Sequence, residues 1–212
     1  MDQNIVVTLF EVESEAFQAL TELKQNPGDK QSFVTQAILV KKENGAVTAL
    51  DRFDSGAAVG NDTVYGGMVG ALVGILGGPI GVLLGGSYGA LVGATVDSFE
   101  ALGSACLIEQ ITEKLLDGEV AIIALAAEED EAILDAKLNK FKVIIARFDA
   151  AAVAAEVEQA QVMAAEMARL ARRELRSEQK ASVKEKIAEK QAKFAADCEK
   201  LWSLYNKEQP AD

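Results

Sequence analysis

The chain has 212 residues, half of them hydrophobic, a formal net charge of −12 and no histidine. Its length suits one domain of ordinary size with an extension, or two small units, and the lack of imidazole removes the commonest general base and metal ligand. The charge is uneven: residues 1–150 hold ten Lys/Arg and twenty-two Asp/Glu, and residues 151–212 hold eleven of each. The first part therefore lacks the basic footprint that a nucleic-acid partner requires.

The opening MDQNIVVTLFEVESEAF has neither the basic n-region nor the cleavage site of a signal peptide. Cys106 and Cys198 form no spaced motif, so a reducing compartment is expected rather than a disulfide scaffold. The expected location is the cytoplasm, with membrane association from that side and both termini in it.

Ile5–Phe10 is a short β-branched run and reads as a strand. Ser14 is the expected N-cap of a helix carrying Phe17 and Leu20, which should stop near Asn26-Pro27-Gly28. Ala37–Lys41 and Val47–Arg52 flank Asn44-Gly45, a dipeptide that tolerates the positive φ angles of a tight hairpin. The order to this point is strand, helix, strand, strand.

Between Asp62 and Asp97 lie thirty-four residues without a charge, and Gly66–Ala94 alone holds eleven glycines. The glycines recur every fourth position in two series, Gly66/Gly70/Gly74/Gly78 and Gly77/Gly81/Gly85/Gly89/Gly93. The pattern of Gly66–Gly74 returns nineteen residues later as Gly85–Gly93. A four-residue step holds glycines on one helical stripe, the flat surface on which small residues let two backbones approach. In water each glycine costs a helix about 1 kcal/mol relative to alanine, so the set costs on the order of 10 kcal/mol. Close packing or a nonpolar solvent must offset that.

As one helix the segment would run roughly 50 Å, well beyond a hydrocarbon core of about 30 Å. Gly77-Gly78-Pro79 near its centre is a turn signal, giving a helical hairpin. Strands on both sides of the segment are expected to share a sheet, which also requires an even number of crossings. The flanks are acidic, Asp62 and Asp97, and the nearest basic residues are Arg52 and Lys114. Ordinary spans carry Lys/Arg there, so two environments stay open: lipid, or an apolar core built from several copies.

Ser98–Leu116 reads as a helix ending at Asp117-Gly118, Val120–Ala126 as a buried strand, Glu129–Leu138 as a helix and Val143–Phe148 as a strand. Together these give an α/β sandwich, one sheet with helices over a face. From Ala150 to about Lys207 the composition turns to Ala, Glu, Lys, Arg and Gln, which favours a long helix with a break near Ser177 or Ser182. Val183, Ile187, Phe194, Leu201 and Tyr205 form one apolar stripe, with Lys190 and Cys198 in the skipped positions. Arg169–Lys193 is the one basic stretch, read as a solvated face or as a surface for anionic lipid or the acidic first domain. The chain thus divides into 1–62 and 97–149, two halves of an α/β domain, the hairpin 63–96, and the extension 150–212.

No catalytic constellation emerges, and neither a cofactor nor a metal site is expected. The glycine segment has no G-x-G spacing and no Gly-Lys-Ser/Thr, so it cradles no phosphate. Glu128-Glu129-Asp130-Glu131 reads as charge placed at a helix start rather than a cation site. Nothing converges on Asp51 and Asp54. Cys106 reads as a buried inert thiol and Trp202 as a packing anchor.

GALVGILGGPIG, the later GALVGA, Asp97 directly after the glycine run, and the downstream VAIIALAAEED together resemble a bacterial family catalogued as domain of unknown function 1269. The resemblance covers about Ile5 to Asp149. It implies an α+β fold, a ferredoxin-like sandwich interrupted by a glycine-zipper hairpin, and a membrane protein. It implies no activity, so no functional residue carries over, and the long helix after Ala150 departs from the family pattern. The expected function is that of a non-enzymatic homo-oligomer whose glycine hairpin mediates self-association in or on a membrane, with itself and membrane lipid as partners. The alternatives are a soluble shell or ring whose hairpins, with or without lipid, fill an apolar interior, and a small-molecule-sensing regulatory domain.

Overall fold

The computed structural model describes residues 1–56, 67–78, 107–174 and 180–208, with the side chains of 170–174, 180–185 and 204–208 outside the description. The elements follow in the order β1 (Asp2–Phe10), α1 (Glu13–Gln25), β2 (Ser32–Glu43), β3 (Ala46–Asp54), α2 (Met68–Leu76), α3 (Leu107–Lys114), β4 (Val120–Glu128), α4 (Glu131–Leu138), β5 (Val143–Asp149), α5 (Ala150–Glu174) and α6 (Lys180–Glu208). The fold is α+β. Its five strands form one sheet in the order β3-β2-β4-β1-β5, every neighbouring pair antiparallel.

Strands from before and after the glycine segment share this sheet and interleave within it. β4 lies between β1 and β2, which α1 connects, and β1 lies between β4 and β5, which α4 connects. The centre of the sheet follows from composition: all nine residues of β4, VAIIALAAE, are buried. Such a continuous apolar run needs cover on both faces. Ile5 and Val7 of β1 and Ala121, Ile123 and Leu125 of β4 face one core. Val6, Phe10, Val120, Ile122, Ala124 and Ala126 face the other, as the two-residue period of a strand dictates.

Helices cover both faces, which corrects the expectation of a sheet covered on one. Ala16, Ala19, Leu20 and Leu23 of α1 and Leu134 and Leu138 of α4 fill one layer. Two of the three helices of the opposite layer, α2 and α5, come from the segments expected as hairpin and extension. α2 lies over β3, β2 and β4, α5 lies over β1 and β5, and α3 packs between α2 and α5. The two-faced apolar character of β4 is the physical reason, because α1 and α4 satisfy only half of it.

The turns show their chemistry. Asn44 and Gly45 take φ of 54° and 78°, the left-handed pair of a tight hairpin, and β2 and β3 extend beyond the expected ranges on either side of it. α1 ends at Gln25, before Asn26-Pro27-Gly28. Its start differs from expectation: Val12 is the N-cap, without a side-chain cap bond, and Ser14 lies inside the first turn. The carbonyl of Val12 already accepts from the Glu15 and Ala16 amides, and Glu13 and Glu15 complement the positive helix end. α3 begins at Leu107 among the described residues, and the expected start at Ser98 lies outside them. The long helix after Ala150 is two helices, on either side of residues 175–179, and the second packs against the first.

Candidate self-association surface

α2 is the described part of the glycine segment, and its sequence MVGALVGIL sorts by face. Met68, Val69, Leu72, Val73, Ile75 and Leu76 are buried in the core shared with β2, β4 and α5. Gly70 and Gly74 lie on the opposite side and are exposed, and a Cβ added at either would meet no atom of the described residues within 4 Å. The helix begins after Gly67, which has a left-handed φ of 87°, and ends at Gly77, whose amide donates to the Val73 carbonyl at 2.8 Å. Gly77 is constrained where Gly70 and Gly74 are open. A Cβ there would stand 2.4 Å from the Val47 carbonyl oxygen of β3, so the absence of a side chain lets the helix end press on the hairpin. Gly78 follows, with room for a Cβ only at 3.0 Å from the Gly74 carbonyl oxygen.

Helix termination at Gly77 falls at the expected Gly77-Gly78-Pro79 turn, of which Pro79 lies outside the described residues. Gly66, Gly81, Gly85, Gly89 and Gly93 also lie outside them. At nine residues α2 runs only roughly 13 Å. Among the described residues no helix is long and apolar enough to cross a membrane.

The stripe on α6 packs within the same chain. Phe194 and Cys198 are buried in the core, with Ile187 and Trp202 packed against it. Leu201 is half-buried, and the side chains of Val183 and Tyr205 lie outside the description. Lys190, at a skipped position of the stripe, reaches the Glu166 carboxylate on α5.

Sequence reasoning missed Glu156, the residue that joins these helices. Its side chain is fully buried on α5 and accepts hydrogen bonds from the amides of Leu107 at 3.0 Å and Ile108 at 3.3 Å. It thereby ties α5 to the first described residues of α3. The Trp202 indole of α6 donates to the same carboxylate. One signal was available: Val153, Val157, Ala160, Met163 and Met167 form the apolar stripe of α5, and Glu156 falls within it.

Other buried charges are held by partners inside the fold. Lys42 on β2 is buried and donates to the Thr112 carbonyl at 2.6 Å, near the C-terminal end of α3. Burial lowers the pKa of that lysine, against the opposing pull of Asp117 and Glu119. Arg147 makes two bonds to Glu128, at 3.1 and 3.2 Å, and one to Asp135 at 2.6 Å. Burial works against its charge, yet those two carboxylates prevail and raise its pKa. Within the acidic cluster Glu128 is thus ion-paired, while Asp130 caps α4 by accepting from the Ala132 amide. Asp51 pairs with Lys24 at 2.6 Å, which lowers the carboxyl pKa, and Asp54 accepts from Gln36. Glu109 on α3 has a raised pKa, from burial first and then from Glu113 and Glu199.

Among the described residues no cluster of His, Cys, Asp and Glu is arranged to hold a metal. The crevice between α1 and α4, lined by Ala19, Glu22, Leu23, Lys137 and Leu138, is no larger than one water. Cys198 is a buried free thiol, and Cys106 lies outside the described residues.

No protein-family model, curated protein or solved structure matches the chain. The family resemblance therefore rests on the residues quoted for it.

Proposed function

We propose that this chain is a non-enzymatic, homo-oligomeric structural protein that self-associates through the glycine face of its uncharged segment. The observation that carries this reading is the orientation of α2. Its large apolar side chains are committed to the core, and Gly70 and Gly74 are exposed, with no described residue where a Cβ would stand. Exposed glycines in a helix interior lower its stability, and a flat backbone face suits close approach by another helix. The repeat Gly85–Gly93 supplies a second segment of the same pattern. The buried polar groups fit a scaffold too, since Glu156, Lys42 and Arg147 tie elements together.

The frame beneath this surface is ferredoxin-like in our reading. β5-β1-β4-β2 carries the two interleaved β-α-β crossovers of that fold, and β3 adds an edge strand from which the glycine segment departs. The orientation of α2 favours packing between copies over an α2 bathed in lipid, in a cytoplasmic assembly. Membrane contact is a second reading, favoured by the uncharged run that continues past Gly78 to Asp97.

The test is light scattering on detergent-free protein, with the Gly70→Leu/Gly74→Leu variant beside it. A discrete oligomer whose mass falls in the variant supports the reading. Equal masses for the two proteins refute it. Recovery only from membranes, with release by detergent and not by carbonate, would favour the second reading.

A further inference from the structure

Glu156 of α5 is fully buried, and three helices meet at its carboxylate. The Leu107 amide of α3 donates to Oε1 at 3.0 Å, the Ile108 amide to Oε2 at 3.3 Å, and the Trp202 indole of α6 to Oε1. The shorter amide bond and the indole bond thus share one oxygen. A glutamine here would offer that oxygen to both donors without taking a charge out of water, which is costly unless the charge is well paired. The fold needs an acceptor at this point, and an ionised acid adds a response to protons that an amide lacks.

α6 is the element placed to answer. It packs chiefly against α5, where Phe194 and Cys198 share one core with Met163 and Met167. Among its described polar ties to α5 are Trp202 with Glu156 and Lys190 with Glu166. The second pair is exposed, at 38% and 45%, and such pairs contribute little.

We infer that Glu156 is an acid-sensitive latch: ionised, it holds α6 against α5, and protonation lets α6 swing away while the sheet stays folded. Hydrogen bonds to an ionised acceptor are about twice as strong as neutral ones. A carboxylate that accepts two or three of them is held in its charged form. Protonation weakens all three bonds at once and adds a hydroxyl that itself needs an acceptor. α6 therefore stays docked above the ordinary carboxylate range and opens below it. Opening uncovers Met163 and Met167 on one helix and Phe194 on the other, which turns a closed pair into two apolar faces.

The charged groups on the neighbouring elements act otherwise. Glu109 on α3 has a raised pKa, from burial, Glu113 and Glu199 of α6, so acid relieves repulsion between α3 and α6 and favours docking, opposite in sign to the latch. Lys114 lies at the end of α3, Asp197 and Lys200 lie on α6, and Glu158 is exposed on α5. On β5, Arg147 is engaged by Glu128 and Asp135, and Asp149 accepts from the Ala152 amide. α2 carries no charge, and β1 carries Asp2 alone. The latch is separate from the α2 face and does not depend on it.

The test is hydrogen exchange of the wild-type chain, read by mass spectrometry from neutral pH down through the carboxylate range and corrected for the exchange rate of free amides. Peptides of α6 should open before those of β4, by an equilibrium that grows about tenfold per pH unit, the signature of one proton taken up. Loss of protection in α6 and β4 together overturns the inference in wild type alone, as does α6 protection that is unchanged or greater in acid. Glu156→Gln keeps the shared acceptor oxygen and should remove that one-proton dependence, leaving α6 docked in acid. Glu166→Gln should retain most of it. Equal pH dependence in wild type and Glu156→Gln overturns the inference, and so does its disappearance in Glu166→Gln.

Discussion

Replacing Gly70 and Gly74 should move stability and association in opposite directions. Both residues are interior to α2 and exposed, and among the described residues nothing occupies the space where a Cβ would stand. In a helix interior glycine is about 1 kcal/mol less favourable than alanine, so Gly70→Ala/Gly74→Ala should stabilise the isolated protomer by about 2 kcal/mol. For a chain of this size that is an increase in Tm of roughly 4–8 °C. Association adds a second effect, because a partner that binds only the folded state raises Tm with protein concentration. Scanning calorimetry over a range of concentrations separates the two. Wild type should gain Tm as concentration rises. Gly70→Leu/Gly74→Leu should melt higher than wild type when dilute and show little concentration dependence. If both variants melt lower at every concentration, the glycine face is packed within the protomer, and the reasoning from open space fails.

Three further substitutions probe the helices around that face. Gly77→Ala places a methyl 2.4 Å from the Val47 carbonyl oxygen, so chemical denaturation should show a loss on the order of 1–3 kcal/mol, opposite in sign to Gly70→Ala. Glu156→Ala deprives the Leu107 and Ile108 amides and the Trp202 indole of their shared acceptor, for a loss of about 3 kcal/mol. Trp202 is the sole tryptophan, so a red shift of its emission should accompany that loss, and an unshifted spectrum would contradict the assignment. Glu109→Gln tests charge. The folded-state pKa of Glu109 is raised by burial, Glu113 and Glu199, so its protonated form is favoured in the fold and stability falls as pH rises above the ordinary value of 4.5. The variant should therefore be more stable than wild type near neutral pH and equal to it in acid, as read from urea titrations at the two pH values.

The strands were legible because their signals are local. The β-branched run of β1, the Asn44-Gly45 hairpin and the apolar run of β4 each follow from a few adjacent residues. That the early and late strands share one sheet followed from the small size of either set, while their interleaving is shown by the structure. What covers the second face was not legible, since helical periodicity shows that α5 and α2 have an apolar side and not what that side meets. α2 is the clearest case: its glycine spacing drew attention to a flat stripe, while Met68, Val69, Leu72 and Leu76 on the reverse side were the residues that belong to the core. Glu156 escaped because a glutamate in an alanine-rich helix resembles a solvated one, unless its place within the Val153–Val157–Ala160 stripe is weighed. The stripe on α6 was read correctly as apolar at Ile187 and Phe194, yet in the described fold it lies on α5 of the same chain.

The most direct test of the account is the native mass of the 22.5 kDa chain, measured by light scattering without detergent, for wild type and for Gly70→Leu/Gly74→Leu at matched concentration. The account predicts a discrete assembly for wild type and a smaller species for the variant. The same mass for both proteins would contradict it.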